Sequence, residues 1–345
     1  MCHNQSVVTG PRLDDIAREV GVHPSTVSRA LNPDRARLVK PDTRIAVEEA
    51  ARRLGYRPDM VARGLQSGRT ATVGVVVADL GNTFVTPIIH QLAAALETAG
   101  IMPVIAETQD DHGRFTRILD HMLGRRVDAI VTAAARVGDQ EILEAAARLV
   151  PVVVAARPLP DSVLVQVVHD DRAGGRLAAG HLAGLGHRRV AQLRGPLDVA
   201  NFSAREVGFT EACRDLGIEE VVFGETGARP VFEEGERLME ALLAGPGRRP
   251  TAVFAHNDLM ALGGLAALHR QGLSVPQDMS MVGYNDLPAM DLVAPPLTTV
   301  RYPSNEIGRA AGELVIQLLA GEEAEDVLLK PTLIVRSSTR EDRVG

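Results

Sequence analysis

From Thr72 onward, short uninterrupted apolar runs alternate with stretches whose apolar residues recur every three or four positions. The run TVGVVVADL is followed by Val85, Ile88, Ile89, Leu92 and Leu96 at helical spacing, and IMPVIAE by a helix around Ile118 and Leu123. DAIVTAA, VPVVVAA and LVQVVHD complete the series. After Asp171 the cycle restarts: a helix to Leu185, RRVAQLRG, a helix from Arg205, EVVFGE, a helix from Glu234, TAVFAHN, a helix from Leu259, and MSMVGYND. Strands that are apolar on both faces belong to parallel sheets covered by helices on both sides. Two such series predict two doubly wound lobes. In that architecture ligands sit beyond the carboxyl ends of the strands, here in the cleft between lobes.

The segment before Thr72 obeys a different pattern. In Leu13 to Asn32, LDDIAREVGVHPSTVSRALN, the residues Ile16, Ala17 and Val20 share one helical face, and Gly21 closes that helix. Pro24 suits the first position of a second helix, because the N–H it lacks would be unpaired there anyway. Val27, Ala30 and Leu31 form its buried face and leave Ser25, Thr26, Ser28 and Arg29 outside. Two short helices around a Gly-containing turn fit a helix-turn-helix unit, whose second helix enters the DNA major groove by its N-terminal residues. A generic helical hairpin is the plainer alternative. A basic loop with Arg35, Arg37 and Lys40 follows, and then a third helix from Pro41 to Leu54, expected to bury Ile45, Ala46, Ala50 and Leu54 and to end at Gly55.

Charge separates the two regions. Residues 1–69 carry 12 Lys+Arg against 8 Asp+Glu, whereas the remainder carries 25 against 36. A basic head on an acidic body suits a tethered DNA reader, since counterion release rewards positive charge only where phosphates are met. Between them, Arg57 to Arg69 reads either as a plain linker or as a hinge helix ordered by a partner. Gly64 and its shortness make such a helix unstable alone, and Leu65 has no core to join. No apolar run resembles a signal peptide or approaches a membrane span, and Cys2 and Cys213 lack metal-ligand spacing. A cytoplasmic protein is expected, with no cofactor and no metal.

The chain resembles bacterial LacI/GalR-family transcription regulators from about Pro11 to its end. Six stretches carry the resemblance in order: DIAREVGVHPSTVSRALN, LGYRPDMVARGL, HLAGLGHRRVAQLRGP, FAHNDLMALG, MSMVGYNDLP and PPLTTVRYP. It implies an α plus α/β chain: a three-helix helix-turn-helix domain over 1–56, a hinge over 57–69, and a two-lobed periplasmic-binding-protein-like core over 70–345. Lobe 1 would take 70–168 and 302–330, and lobe 2 170–300 and 332–345. It further implies a homodimer on a near-palindromic double-stranded operator, acting as a repressor, with a sugar-like or nucleoside-type effector controlling affinity. Ser25, Ser28 and Arg29 match the family's major-groove contacts, and Leu13, Asn32 and Thr43 its phosphate-side contacts. Pro24, Thr26 and Ala62 join the DNA-facing set, and Leu65 matches a leucine that wedges into the minor groove. Arg205 matches an effector-clamping arginine, Asn257 and Asn285 match polar ligand contacts, and Phe84 an aromatic of the first loop.

There are departures. His23 and Lys40 stand where the family usually has Ser, and imidazole is a poorer N-cap. Asn285 stands where many relatives have Asp, Ala156 where some sugar binders have Asp, and no leucine-rich tail follows the last strand. Phe84, Phe202, Phe232 and Tyr302 could stack on a ligand ring or fill the core. Taken alone, Arg205 reads as a solvated charge, Asp170 and Asp171 as a turn and a helix cap, and Asp110–Asp111 and Glu233–Glu234 as solvated faces. A transport sugar-binding protein shares the core but should carry a signal peptide and no basic head. An enzyme would need motifs or an acid/base pair that the chain does not show.

Overall fold

A computed structural model describes residues 11–32, 35–56, 68–221 and 225–342. The chain forms two compact units, Met1–Thr70 and Ala71–Gly345. The expected hinge, including Ala62 and Leu65, lies outside the described residues apart from its last positions.

In the first unit, α1 (Leu13–Val20) ends on Gly21 at φ +74°, the left-handed turn a side chain would resist. Helix α2 (Pro24–Ala30) follows, and after a 3-10 turn at Ala36–Leu38 comes α3 (Pro41–Leu54). Ile16, Ala17, Val27, Ala30, Val47, Ala50 and Ala51 form the core. This corrects the expected inner face of α3. Ile45 is 50% exposed and Leu54 36%, while Val47 and Ala51 are buried instead. Ile45 lies two residues, or about 200°, from Val47 around the helix, so both cannot face α1. The close helix contacts select the small side chains. His23 also departs from expectation, because its Nδ1 accepts the Ser25 amide at 3.2 Å and caps α2. His23→Ala should therefore lower the stability of this unit by about 0.5–2 kcal/mol, read as a shift of its own thermal transition.

The second unit contains two six-stranded sheets. Sheet A joins β1 (Thr72–Val77), β2 (Met102–Glu107), β3 (Ala129–Ala133), β4 (Val152–Ala155), β5 (Val165–His169) and β11 (Val327–Leu329), in the order β11-β5-β4-β3-β1-β2, all parallel. Sheet B joins β6 (Arg189–Leu193), β7 (Glu219–Val221), β8 (Ala252–Ala255), β9 (Ser280–Asn285), β10 (Thr298–Arg301) and β12 (Thr332–Ile334), in the order β12-β10-β9-β8-β6-β7. Strand β12 runs antiparallel to β10, an exception to the expected parallel pattern. The chain leaves β11 at the cleft and enters β12 after two intervening residues, so β12 starts where its neighbours end. The chain thus crosses between lobes after β5, after β10 and after β11.

Helices α4 (Val85–Thr98), α5 (His112–Gly124), α6 (Gln140–Ala147) and α11 (Ser304–Ala320) belong to the first lobe. Helices α7 (Asp171–Gly184), α8 (Ala200–Asp215), α9 (Phe232–Ala244) and α10 (Asp258–Arg270) belong to the second. Helix α8 begins five residues earlier than the pattern suggested. Its N-cap Val199 makes no side-chain cap bond, so no start signal marks it in the sequence. Helices α7 and α8 approach until Gly175 faces the Arg205 carbonyl and Gly208 the Arg172 carbonyl. A Cβ on Gly208 would fall on that carbonyl, so Gly208→Ala should cost about 1–3 kcal/mol or more and lower the melting temperature of this unit.

Candidate functional site

Two places collect the candidate residues. On the first unit, α2 turns Ser25 and Arg29 outward, with Thr26 and Ser28 half-buried between them. Ser25 Oγ lies 2.9 Å from His23 Nδ1 and accepts from Arg29 Nη2 at 3.3 Å. The guanidinium is thereby steadied at the surface with most of its donors open. Pro24 opens α2, Leu13 opens α1, and Thr43 sits in the first turn of α3. Asn32 follows α2. Helix starts present unpaired amides and the positive end of the dipole, which favours anionic groups.

The second place is a cavity of about 230 Å³ between the lobes of the second unit. It lies where strands of both sheets end. Ala78 follows β1, Ala156 follows β4, Asn257 follows β8, and Ala133 and Asn285 end β3 and β9. Phe84, just ahead of α4, and Phe202, in the first turn of α8, present rings from opposite lobes. Asn201 and Arg205 come from the same face of α8 as Phe202, one turn apart.

Arg205 is not a solvated charge, since it is only 1% exposed. Its Nε donates to Asp171 Oδ1 at 2.8 Å and its Nη1 to the His256 carbonyl. The guanidinium stacks on the Tyr284 ring at 3.7 Å and lies 4.9 Å from that of Phe202. Burial by itself would raise the Asp171 pKa, but Arg205, helped by His169, outweighs it and holds the carboxyl below its usual value. Asp171, read from sequence as one of a turn-and-cap pair, is therefore the buried counter-ion of Arg205. Asp170 is the cap of α7, accepting the Ala173 amide at 2.9 Å. His256 is buried, and burial together with Arg205 and Arg194 keeps its pKa well below 6.5. It accepts the Gly195 amide at Nδ1, so its Nε2–H donates to Gln192 Oε1 at 2.8 Å.

The other expected contacts divide. Asn285 ends β9 at φ +113° and lines the cavity, its buried Oδ1 without a partner. Asn257 lines it too, although its Oδ1 caps α10 and its Nδ2 donates to the Pro230 carbonyl, both at 2.8 Å. Tyr302 does not line this cavity. It stands behind Phe84 in edge-to-face contact at 4.7 Å and donates to the Ala156 carbonyl, so it shapes the wall from the back. Phe232 is 37% exposed and also lies outside the lining.

Sequence reasoning missed several lining residues. Asp110 is no solvated acid: it binds Arg157 at 2.6 Å and lies 3.5 Å from Arg136. Burial works against ionisation of Asp110, yet Arg157 and then Arg136 bring its pKa below the usual value. Asn201 points an unpartnered Oδ1, and Arg229 pairs with Asp79 across the cleft at 3.6 Å. All of these follow strands or open helices at the carboxyl edge, which is the one sequence signal that could have found them. Every lining arginine thus faces a carboxylate, while two amide oxygens await donors. Such a cavity suits an uncharged ligand rich in hydroxyl or N–H groups.

Beside the cavity, burial lifts the Asp258 carboxyl from 3.8 to about 7, despite hydrogen bonds from Thr299 and the Leu287 amide. A free carboxyl loses its proton near 3.8, so stability contributed here falls as pH rises from there to about 7. His256, His181 and His187, all depressed by burial, act oppositely and favour the fold as pH rises through 6.5. Asp258→Asn should therefore show a steeper rise in melting temperature from about pH 5 to pH 7 than wild type.

Residues 12–59 match the model of bacterial regulatory proteins of the lacI family, and residues 179–339 match that of a periplasmic binding protein-like domain. The chain is 33% identical to the HTH-type transcriptional repressor CytR of Escherichia coli (strain K12), over 96% of this chain and 97% of that protein. The structure superposes on the Lac repressor dimer bound to operator and the anti-inducer ONPF with a TM-score of 0.85, at 27% identity over 96% of this chain and all of that one. Against a complex of the transcriptional regulator CelR with cellobiose, the TM-score is 0.71 at 31% identity, covering 95% and 99% of the two chains.

Proposed function

The chain belongs to the LacI family of bacterial regulatory proteins, and from that premise we propose that it is a homodimeric, operator-binding transcriptional repressor. A small neutral metabolite, a sugar or nucleoside, sets its affinity for DNA from the interlobe cavity. One observation carries this reading: a single chain presents an outward Ser25–Arg29 face on a basic head and an interlobe cavity lined by Arg205 in its core. Ser25, Ser28 and Arg29, with Pro24 and Thr26 around them, read the major groove, while Leu13, Asn32 and Thr43 meet phosphates. Ala62 and Leu65 would serve the minor groove between half-sites. Phe84, Arg205, Asn257 and Asn285 contact the effector, and Tyr302 supports them.

The small volume favours a ligand of one or two fused or linked small rings over a long oligosaccharide. Asn285 in place of a carboxylate can donate as well as accept, which broadens the set of oxygens it can meet. The outer strand β2 exposes Met102, Val104 and Ile105, an apolar edge that a second copy would cover. Binding rather than turnover is the reading for the cavity, and the cytoplasm, where the operator lies, is the compartment. Among the described residues no helix is long and apolar enough to cross a membrane.

Random-sequence selection with the full-length protein tests the DNA half, with a near-palindromic consensus as the expected result. A thermal-shift panel of ribose, other monosaccharides and nucleosides tests the other half. A ligand at 100 times its dissociation constant should stabilise the protein by about 2.7 kcal/mol. An asymmetric consensus, or a panel without any shift, counts against the corresponding half.

A further inference from the structure

Arg136 follows β3 in the first lobe, and Asp198 follows β6 in the second. Their side chains are ion-paired across the cleft, and beside them the Val137 amide donates to the Asp198 carbonyl at 3.0 Å. Arg136 has a second claim on it. Asp110 lies 3.5 Å away, and the same carboxylate is held by Arg157, which lines the cavity. Asp198 is in turn three residues ahead of Asn201 and four ahead of Phe202, the cavity residues that open α8.

We propose that Arg136 and Asp198 are positioning residues that latch the lobes closed over the cavity, and that Asp110, shared between Arg136 and Arg157, couples the cavity to that latch. The inference rests on the effector reading for its purpose but not for its test. When Asp110 is drawn toward the cavity by a ligand donor, Arg136 is left to Asp198 and closure tightens. When Asp110 loses Arg157, it competes harder for Arg136 and the latch loosens. The Arg229–Asp79 bridge also spans the cleft, but at 3.6 Å it is the longer pair, and its arginine is 57% exposed where Arg136 is 21% exposed.

The Val137 N–H reports the latch directly, because its partner belongs to the other lobe. The experiment is amide hydrogen exchange, resolved to single residues, on the ligand-free full-length protein. Asp198→Ala should speed exchange at Val137 about tenfold, with Asp198→Glu restoring much of the protection. Arg157→Ala should speed it too, although Arg157 is bonded to neither Val137 nor Asp198. Asp110→Asn should slow it, whereas nonspecific damage at a half-buried site would speed it. Unchanged exchange in Asp198→Ala overturns the latch. Shifts of the same sign, or none, in Arg157→Ala and Asp110→Asn overturn the coupling. Since no ligand enters the measurement, a protein that passes it yet answers to no sugar or nucleoside loses the effector reading and keeps the latch.

Discussion

Arg205→Ala is expected to destabilise the two-lobed unit by about 3–5 kcal/mol, besides abolishing the effector response, because it strands the Asp171 carboxylate in the interior. The cation–π contact with Tyr284 and the bond to the His256 carbonyl are lost with it. A lowered transition for this unit in a calorimetric scan, with that of the DNA-binding unit unmoved, is the predicted signature. Replacing both partners, as Arg205→Met with Asp171→Leu, should recover much of the stability, since buried pairs are often matched by apolar residues of similar volume. It should not recover the response to whichever sugar or nucleoside shifts the wild type. If Arg205→Ala melts like wild type, Arg205 is not the buried ion that holds the cleft wall. If the double variant responds like wild type, the arginine has no part in binding.

Arg29→Ala should weaken operator binding by a hundredfold or more, as each subunit forfeits a contact of about 1–3 kcal/mol and the dimer forfeits two. The fold should be spared, because Arg29 is exposed and its side chain bonds to Ser25 on the same helix. The way affinity falls identifies the contact. A guanidinium on a base edge, once removed, relaxes preference at one position of each half-site. One on a phosphate weakens all sequences alike and lowers the salt dependence by about one ion per contact. Gel-shift titrations against the selected operator and single-base variants at two salt concentrations separate these. Wild-type affinity in the variant would remove α2 from the reading role.

The alternation of apolar runs and helical stretches determined the parallel strands of the two sheets, because a strand buried on both faces must be apolar throughout and a crossover helix must have one apolar stripe. The spacing of Ile16, Ala17, Val27 and Ala30 around Gly21 likewise determined the helix pair of the N-terminal unit, since local contacts and a left-handed glycine suffice to specify it. What local pattern could not convey was which charges would be buried. Arg205 and Asp171 lie 34 residues apart, and only the packing of α7 on α8 brings them together. Asp110, Arg157, Arg136 and Asp198 come from four separate loops, each unremarkable in its own stretch. Tyr302 left the cavity for the same reason that Asp110 entered it. A side chain at a strand end can face the cleft or the wall behind it, and the twist and crossing of the two sheets decide which.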